Sequence, residues 1–149
     1  MITQFRDEWR WLSNFMPVEI QWQGRMYPSV EHAYQSAKSD EEAWKEYCSD
    51  ILTPAGKVKK KSRFLTLRPD WLAIREEVME MCLRQKYAQQ PYMTLLINTG
   101  QVVIQEGNWW GDTFWGVDLL SGGGENRMGK LIMDIRQELQ QSLYWTVTE

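Results

Sequence analysis

The sequence is poor in the residues that build metal centres and disulfide frameworks. It has two cysteines, Cys48 and Cys82, and a single histidine, His32, in 149 residues. The two cysteines form no CxxC and neighbour no plausible ligand set, which argues against a zinc site. No metal is expected, and the two thiols read as buried and free. No run approaches the roughly 18 consecutive apolar residues of a membrane span. The opening residues MITQFRDEWR lack the apolar stretch of a secretory signal. The expectation is a soluble, cytoplasmic protein that does not enter membranes. An excess of positive charge is missing too: the net charge is −3, so any contact with nucleic acid must rest on a local patch. With no internal repeat and no low-complexity linker, residues 1–149 read as one domain large enough for a proper core.

What is present is an ordinary globular mixture, 43% apolar and 25% charged, arranged in short elements. Val18, Ile20 and Trp22 alternate with polar residues, and Gln23-Gly24 turns the chain into Arg25-Met26-Tyr27, which reads as a small hairpin. Ser29 is a good cap for a helix over residues 30 to about 38, and a second helix is expected over 41–48. Thr53-Pro54 repeats the start signal. Asp70 should cap the longest helix, 71–87, whose apolar stripe is Trp71, Ile74, Val78, Met81 and Cys82. Pro91 opens a short helix closed by Gly100, Val102-Val103-Ile104 resembles a strand, and Asn126 should cap a last helix burying Met128, Leu131, Ile132, Ile135 and Leu139. The expected fold class is α+β, predominantly helical, with a small antiparallel β component.

Three constellations depart from ordinary packing. Nine tryptophans are more than a core needs, because each buried indole N–H demands a partner. The densest cluster is Trp109-Trp110-Gly111-Asp112-Thr113-Phe114-Trp115-Gly116. Aromatic faces around one carboxylate, with glycines that let backbone approach a ligand, suit a flat ring and a sugar; core aromatics at a strand edge are the competing reading. In the second, Glu31, Tyr34 or Gln35, and Lys38 share a helix face, with Glu31 and Lys38 about 10 Å apart along the axis. Glu31 stands in the first turn, where the helix dipole favours negative charge, so it reads as a hydrogen-bond acceptor or base. A solvated ion-paired face satisfies the same spacing, and His32 alone reads as a satisfied structural residue. The third is the basic run Lys57, Lys59, Lys60, Lys61, Arg63 and Arg68, either a phosphate clamp or a solvated surface.

Five segments in order carry a resemblance: Ser13-Asn14-Phe15; Tyr27-Pro28-Ser29-Val30-Glu31-His32-Ala33-Tyr34-Gln35; Arg68-Pro69-Asp70-Trp71; Gly107-Asn108-Trp109-Trp110-Gly111-Asp112-Thr113-Phe114-Trp115-Gly116-Val117; and Asn126-Arg127-Met128-Gly129 through Met133-Asp134-Ile135-Arg136. Together, over residues 11 to 139, they resemble the NADAR, or YbiA-like, family. The resemblance implies an N-glycosidase acting on ribosylated amines, either ADP-ribose attached to guanine, alone or within DNA or RNA, or ribosylamino-pyrimidine phosphates of riboflavin biosynthesis. It carries catalytic roles to Glu31, Trp71 and Asp112, and to Lys38 as a residue that bonds to the sugar. It carries substrate-binding roles to Ser13, Asn14, Phe15, His32, Trp110, Gly111, Trp115, Gly116 and Asn126. No metal and no organic cofactor is implied. After Thr53-Pro54 the segment Ala55-Gly56-Lys57-Val58-Lys59-Lys60-Lys61-Ser62-Arg63 departs from the family's usual Ala-Lys and Gly-Arg pattern, which leaves its phosphate contacts open.

The chemistry suits these residue types. Breaking a ribose C1–nitrogen bond develops positive charge on the sugar, which a carboxylate stabilises, and the leaving nitrogen needs a proton. A lysine desolvated among aromatics keeps some neutral amine able to attack C1. The alternatives are a module that binds ADP-ribose or a nucleotide without turnover, and a nucleic-acid-binding module built on residues 57–68, which would bind with steep salt dependence.

Overall fold

The computed structural model describes residues 1–148, with side chains through residue 143. The chain divides into two compact units, residues 14–89 and residues 1–13 with 90–149. Among the described residues no helix is long and apolar enough to cross a membrane.

Residues 14–89 begin with an antiparallel hairpin, β1 (Ile20–Trp22) and β2 (Arg25–Tyr27), with Ile20 opposite Tyr27. Gln23 and Gly24 both adopt positive φ, 47° and 79°, the turn whose twist matches paired strands. Four helices follow: α1 (Val30–Ser36), α2 (Glu42–Ser49), α3 (Ala55–Lys61) and α4 (Trp71–Tyr87). α1 is buried along its whole length and packs against α2, α3, α4 and the hairpin. It is therefore the central element of this unit, and its polar residues are interior groups, not a solvated face. Ser29 caps it as expected, its Oγ accepting from the His32 N–H at 3.1 Å.

Three boundaries differ from expectation, each for a local reason. α1 stops at Ser36, two residues early: the Gln35 carbonyl accepts from the Trp44 indole at 2.8 Å and from the Lys38 N–H at 3.2 Å, so the chain tightens there. α3 starts at Ala55 with Pro54 as cap and no side-chain bond; the Thr53 carbonyl is held by His32 instead. Asp70 precedes α4 but does not cap it, because Arg68 Nε and Nη2 take both of its oxygens at 2.6 and 3.2 Å. The buried face of α4 is also rotated from the expected stripe. Trp71, Val78 and Cys82 are buried with Met79, Leu83, Lys86 and Tyr87, while Met81 is exposed.

In the other unit a 3-10 turn, Asp7–Leu12, precedes Ser13. After residue 90 come α5 (Tyr92–Ile97), β3 (Gly107–Asn108), β4 (Val117–Asp118) and the long α6 (Arg127–Thr148). β3 and β4 pair in parallel, so only the first of the two small sheets is antiparallel. Residues 102–104 form no strand; Ile104 makes an isolated bridge to Ile2. α6 buries Met128, Ile132 and Ile135 as expected but leaves Leu131 and Leu139 only half-buried; Arg136 is buried instead, its guanidinium donating to Thr99 Oγ1 at 3.0 Å and to the Val102 carbonyl at 2.7 Å. Both cysteines are free and buried, their thiols pushed up to about 12 by burial.

Candidate active site

Glu31 enters α1 one residue past its start, with its N–H donating to the Asn14 carbonyl at 3.0 Å. Only 7% of it is exposed, and Oε1 accepts from Gln35 Nε2 at 2.8 Å. A buried carboxylate needs such a donor or a cation. Lys38 supplies positive charge nearby. It lies in the turn after α1, half-buried, with Nζ 5.5 Å from the Tyr34 ring centre and 5.9 Å from that of Trp71. Burial lowers its pKa, the Glu31 carboxylate opposes that shift, and Lys59 adds to it. The result is an amine on an aromatic floor, with a depressed proton affinity and a carboxylate within electrostatic reach.

The floor is built by the Arg68-Pro69-Asp70-Trp71 segment. Arg68 donates its N–H to the Lys38 carbonyl at 2.8 Å and pairs with Asp40 and Asp70, so the turn that starts α4 is fastened to the turn that ends α1. Trp71, 4% exposed, then meets Tyr34 with ring centres 5.1 Å apart and planes inclined by 58°. Phe15, 40% exposed, lies with its ring centre 5.9 Å from Lys59 Nζ, and Asn14 Nδ2 reaches Met79 Sδ at 3.7 Å. His32 is occupied on both ring nitrogens. The Thr53 carbonyl, 2.7 Å away, can only accept, so Nε2 carries the proton and Nδ1 accepts from Ser29 Oγ at 2.6 Å. His32 therefore ties α1 to the start of α3.

The second group of expected residues belongs to the other unit and centres on Asp112. Its Oδ1 accepts from the backbone N–H groups of Phe114 and Trp115 at 3.1 and 2.9 Å, while its own backbone is bracketed by Asn108. Asn108 Oδ1 accepts the Asp112 N–H at 2.9 Å, and Nδ2 donates to the Asp112 carbonyl at 2.9 Å and to Glu106 Oε2 at 3.2 Å. Gly111 takes φ +79° in this turn. Gly116 is required by close approach, since a Cβ there would meet the Glu106 carbonyl oxygen and carboxylate. The loop's carbonyls then satisfy the orphan N–H groups at the start of α6, Met128 donating to Trp115 at 2.9 Å and Arg127 to Phe114 at 3.3 Å. Asn126, at φ +49°, directs its side chain to the Glu106 N–H and the Ile104 carbonyl at 2.9 and 3.0 Å. Trp109 and Trp110 stay 54% and 65% exposed, unlike core aromatics. Ser13 ends the 3-10 turn, donating its N–H to the Arg10 carbonyl at 2.9 Å.

Glu31, Lys38 and Trp71 thus lie in one unit, where Lys38 links them by charge and by ring contact; Trp110, Gly111, Asp112, Trp115, Gly116 and Asn126 lie in the other. Two contributors escaped the reading of the sequence. Lys59 sat within the basic run with nothing in the sequence to set it apart. Asn108, fully buried, was read only as part of a motif; a polar residue between a glycine and two tryptophans is the signal that marks it.

Comparison with known proteins places the chain in a family. Residues 3–140 match the NADAR domain, a span that runs through both units. N-glycosidase YbiA of Escherichia coli (strain K12) is 31% identical over 135 residues, covering 89% of this chain and 83% of that protein. A riboflavin biosynthesis protein of Vibrio vulnificus (strain YJ016) is 35% identical over 132 residues, covering 87% of this chain; the chain spans only 35% of that longer protein. The NMR structure of E. coli YbiA superposes with a TM-score of 0.81 at 27% identity, covering 96% of this chain and 85% of that one. By its match along nearly the whole length, this chain belongs to the NADAR domain family.

Proposed function

We infer that this NADAR protein is an N-glycosidase that cleaves the bond between a ribose C1 and a base nitrogen, with ADP-ribosylated guanine as its substrate. The observation that carries the reaction is Lys38, an amine with lowered pKa over Tyr34 and Trp71 and within reach of the Glu31 charge. Binding alone would not need a lysine whose charge is disfavoured by burial.

The neutral Lys38 amine adds at C1, and the electron pair of the C1–N bond leaves with the base, whose nitrogen takes a proton. Glu31 accepts the proton that the amine loses, and opening of the sugar ring gives a Schiff base. Water then adds at C1 and the amine departs, so the sum is hydrolysis. Trp71, packed against Tyr34, screens the Lys38 amine from water. The family resemblance assigns a catalytic role to Asp112 as well, a carboxylate whose Oδ1 is engaged by its own loop. Phe15, in the same unit as Lys38, offers a further aromatic face. We read residues 1–149 as one NADAR domain acting on this substrate in the cytoplasm.

The basic run favours a substrate rich in phosphate over a small one. The ribosylamino-pyrimidine phosphates of riboflavin biosynthesis are the second reading, supported by the name of the Vibrio relative. Mass detection of the released base from each substrate distinguishes them. Tight ADP-ribose binding without release would overturn both in favour of a binding module.

A further inference from the structure

α3 and the 3-10 turn that follows it, Ser62–Phe64, carry Lys57, Lys59, Lys60, Lys61 and Arg63, and no carboxylate occurs between Asp50 and Asp70. Ala55 and Val58 face the interior, whereas all five cations are exposed. In a chain of net charge −3 this is a local concentration of the opposite sign. Arg68 is not part of it, being paired with Asp40 and Asp70. At the end of the run stands Phe64, 87% exposed, followed by Leu67 at 46%. A phenyl ring left in water beside a cluster of cations is the pairing that single-stranded nucleic acid uses, phosphates on the cations and a base on the ring.

We propose that this surface holds a single-stranded polynucleotide, its phosphates along Lys57, Lys60, Lys61 and Arg63 and one base stacked on Phe64. The proposal rests on the reading above, in which the reacting base is attached to nucleic acid. Continuity with the site supports it: Lys59, in the middle of the run, lies beside Phe15 and its charge is felt at Lys38. A strand on α3 therefore leads toward the reacting amine, and a base there must be unpaired to be reached. An anionic membrane would also attract these cations, but it offers no reason for the run to adjoin the Lys38 amine.

The test is fluorescence anisotropy of a labelled, unmodified single-stranded oligonucleotide over a range of salt. The wild type is compared with a Lys57→Gln, Lys60→Gln, Arg63→Gln triple variant and with Phe64→Ser, all at exposed positions and checked for folding by circular dichroism. The triple variant should lose at least tenfold in affinity, with a log–log salt slope shallower by about 2, from ~0.7 per phosphate contact. Phe64→Ser should lose about tenfold with its slope unchanged. No binding by the wild type, or equal binding by the variants, overturns the proposal. So does binding to phosphatidylserine vesicles that the oligonucleotide fails to displace. Turnover of an ADP-ribosylated guanine mononucleotide is followed in parallel. Turnover without strand binding overturns this surface alone, and strand binding without turnover supports the surface while overturning ADP-ribosylated guanine as the substrate.

Discussion

Lys38 gains reactivity by losing solvation, and the same balance gives its pH dependence. Its pKa lies below that of a free lysine because burial and Lys59 outweigh Glu31. Below that pKa the amine is charged and inert, so kcat/KM should rise with pH on this limb. In Lys38→Arg the limb and the activity should both vanish; an arginine variant with full turnover would rule out the covalent step. Glu31→Gln keeps an oxygen able to accept from Gln35 but removes the charge. Turnover should fall about 10²–10⁴-fold, and the Lys38 limb should move to lower pH because the opposing carboxylate is gone. Asp112 separates scaffold from charge in the same way. Asp112→Asn retains an Oδ1 acceptor for Phe114 and Trp115, so thermal stability should hold while turnover drops. Asp112→Ala should lose both, and the stability of the two variants measured side by side checks this.

At the level of elements, local rules were legible where a turn or cap decides the outcome, and illegible where burial does. Gln23-Gly24 announces its hairpin because few residues accept two successive positive φ values, and Ser29 announces α1 because its hydroxyl has one obvious job. Spacing put Glu31 and Lys38 on one helix face, whereas Lys38 lies in the turn beyond α1; the burial of all of α1 was not visible, because a sequence does not say which helix lies at the centre. The strand expected at Val102-Val103-Ile104 failed for a related reason: the Val102 carbonyl is taken by Arg136 and the Val103 carbonyl by the Ile2 N–H. Lys86 is the clearest omission. A lysine in α4 reads as solvated, yet it is fully buried and burial pushes it down to about 7. An unfolded lysine titrates near 10.5, so unfolding takes up a proton between those values and stability should rise with pH from about 7 to about 10.5. Melting temperatures of the wild type and Lys86→Met across that range should diverge accordingly; parallel curves would show that Lys86 does not titrate on unfolding. Gly116→Ala, by forcing a Cβ onto Glu106, should destabilise the Asp112 loop by about 1–3 kcal/mol, read from denaturant midpoints.

At the scale of the whole molecule, one family match spans both units, so a single cooperative transition is expected, with tryptophan fluorescence and circular dichroism melting together. Distinct midpoints would contradict the one-domain reading. The central claim is the cleavage itself, and one assay tests it most directly. Purified protein is given an ADP-ribosylated guanine oligonucleotide or, separately, a ribosylamino-pyrimidine phosphate, and loss of the ribosyl group is followed by mass, with Glu31→Gln and Lys38→Ala alongside. Release of ADP-ribose from the first substrate, leaving unmodified guanine in the strand and lost in both variants, is the predicted result; release from neither substrate would contradict the account.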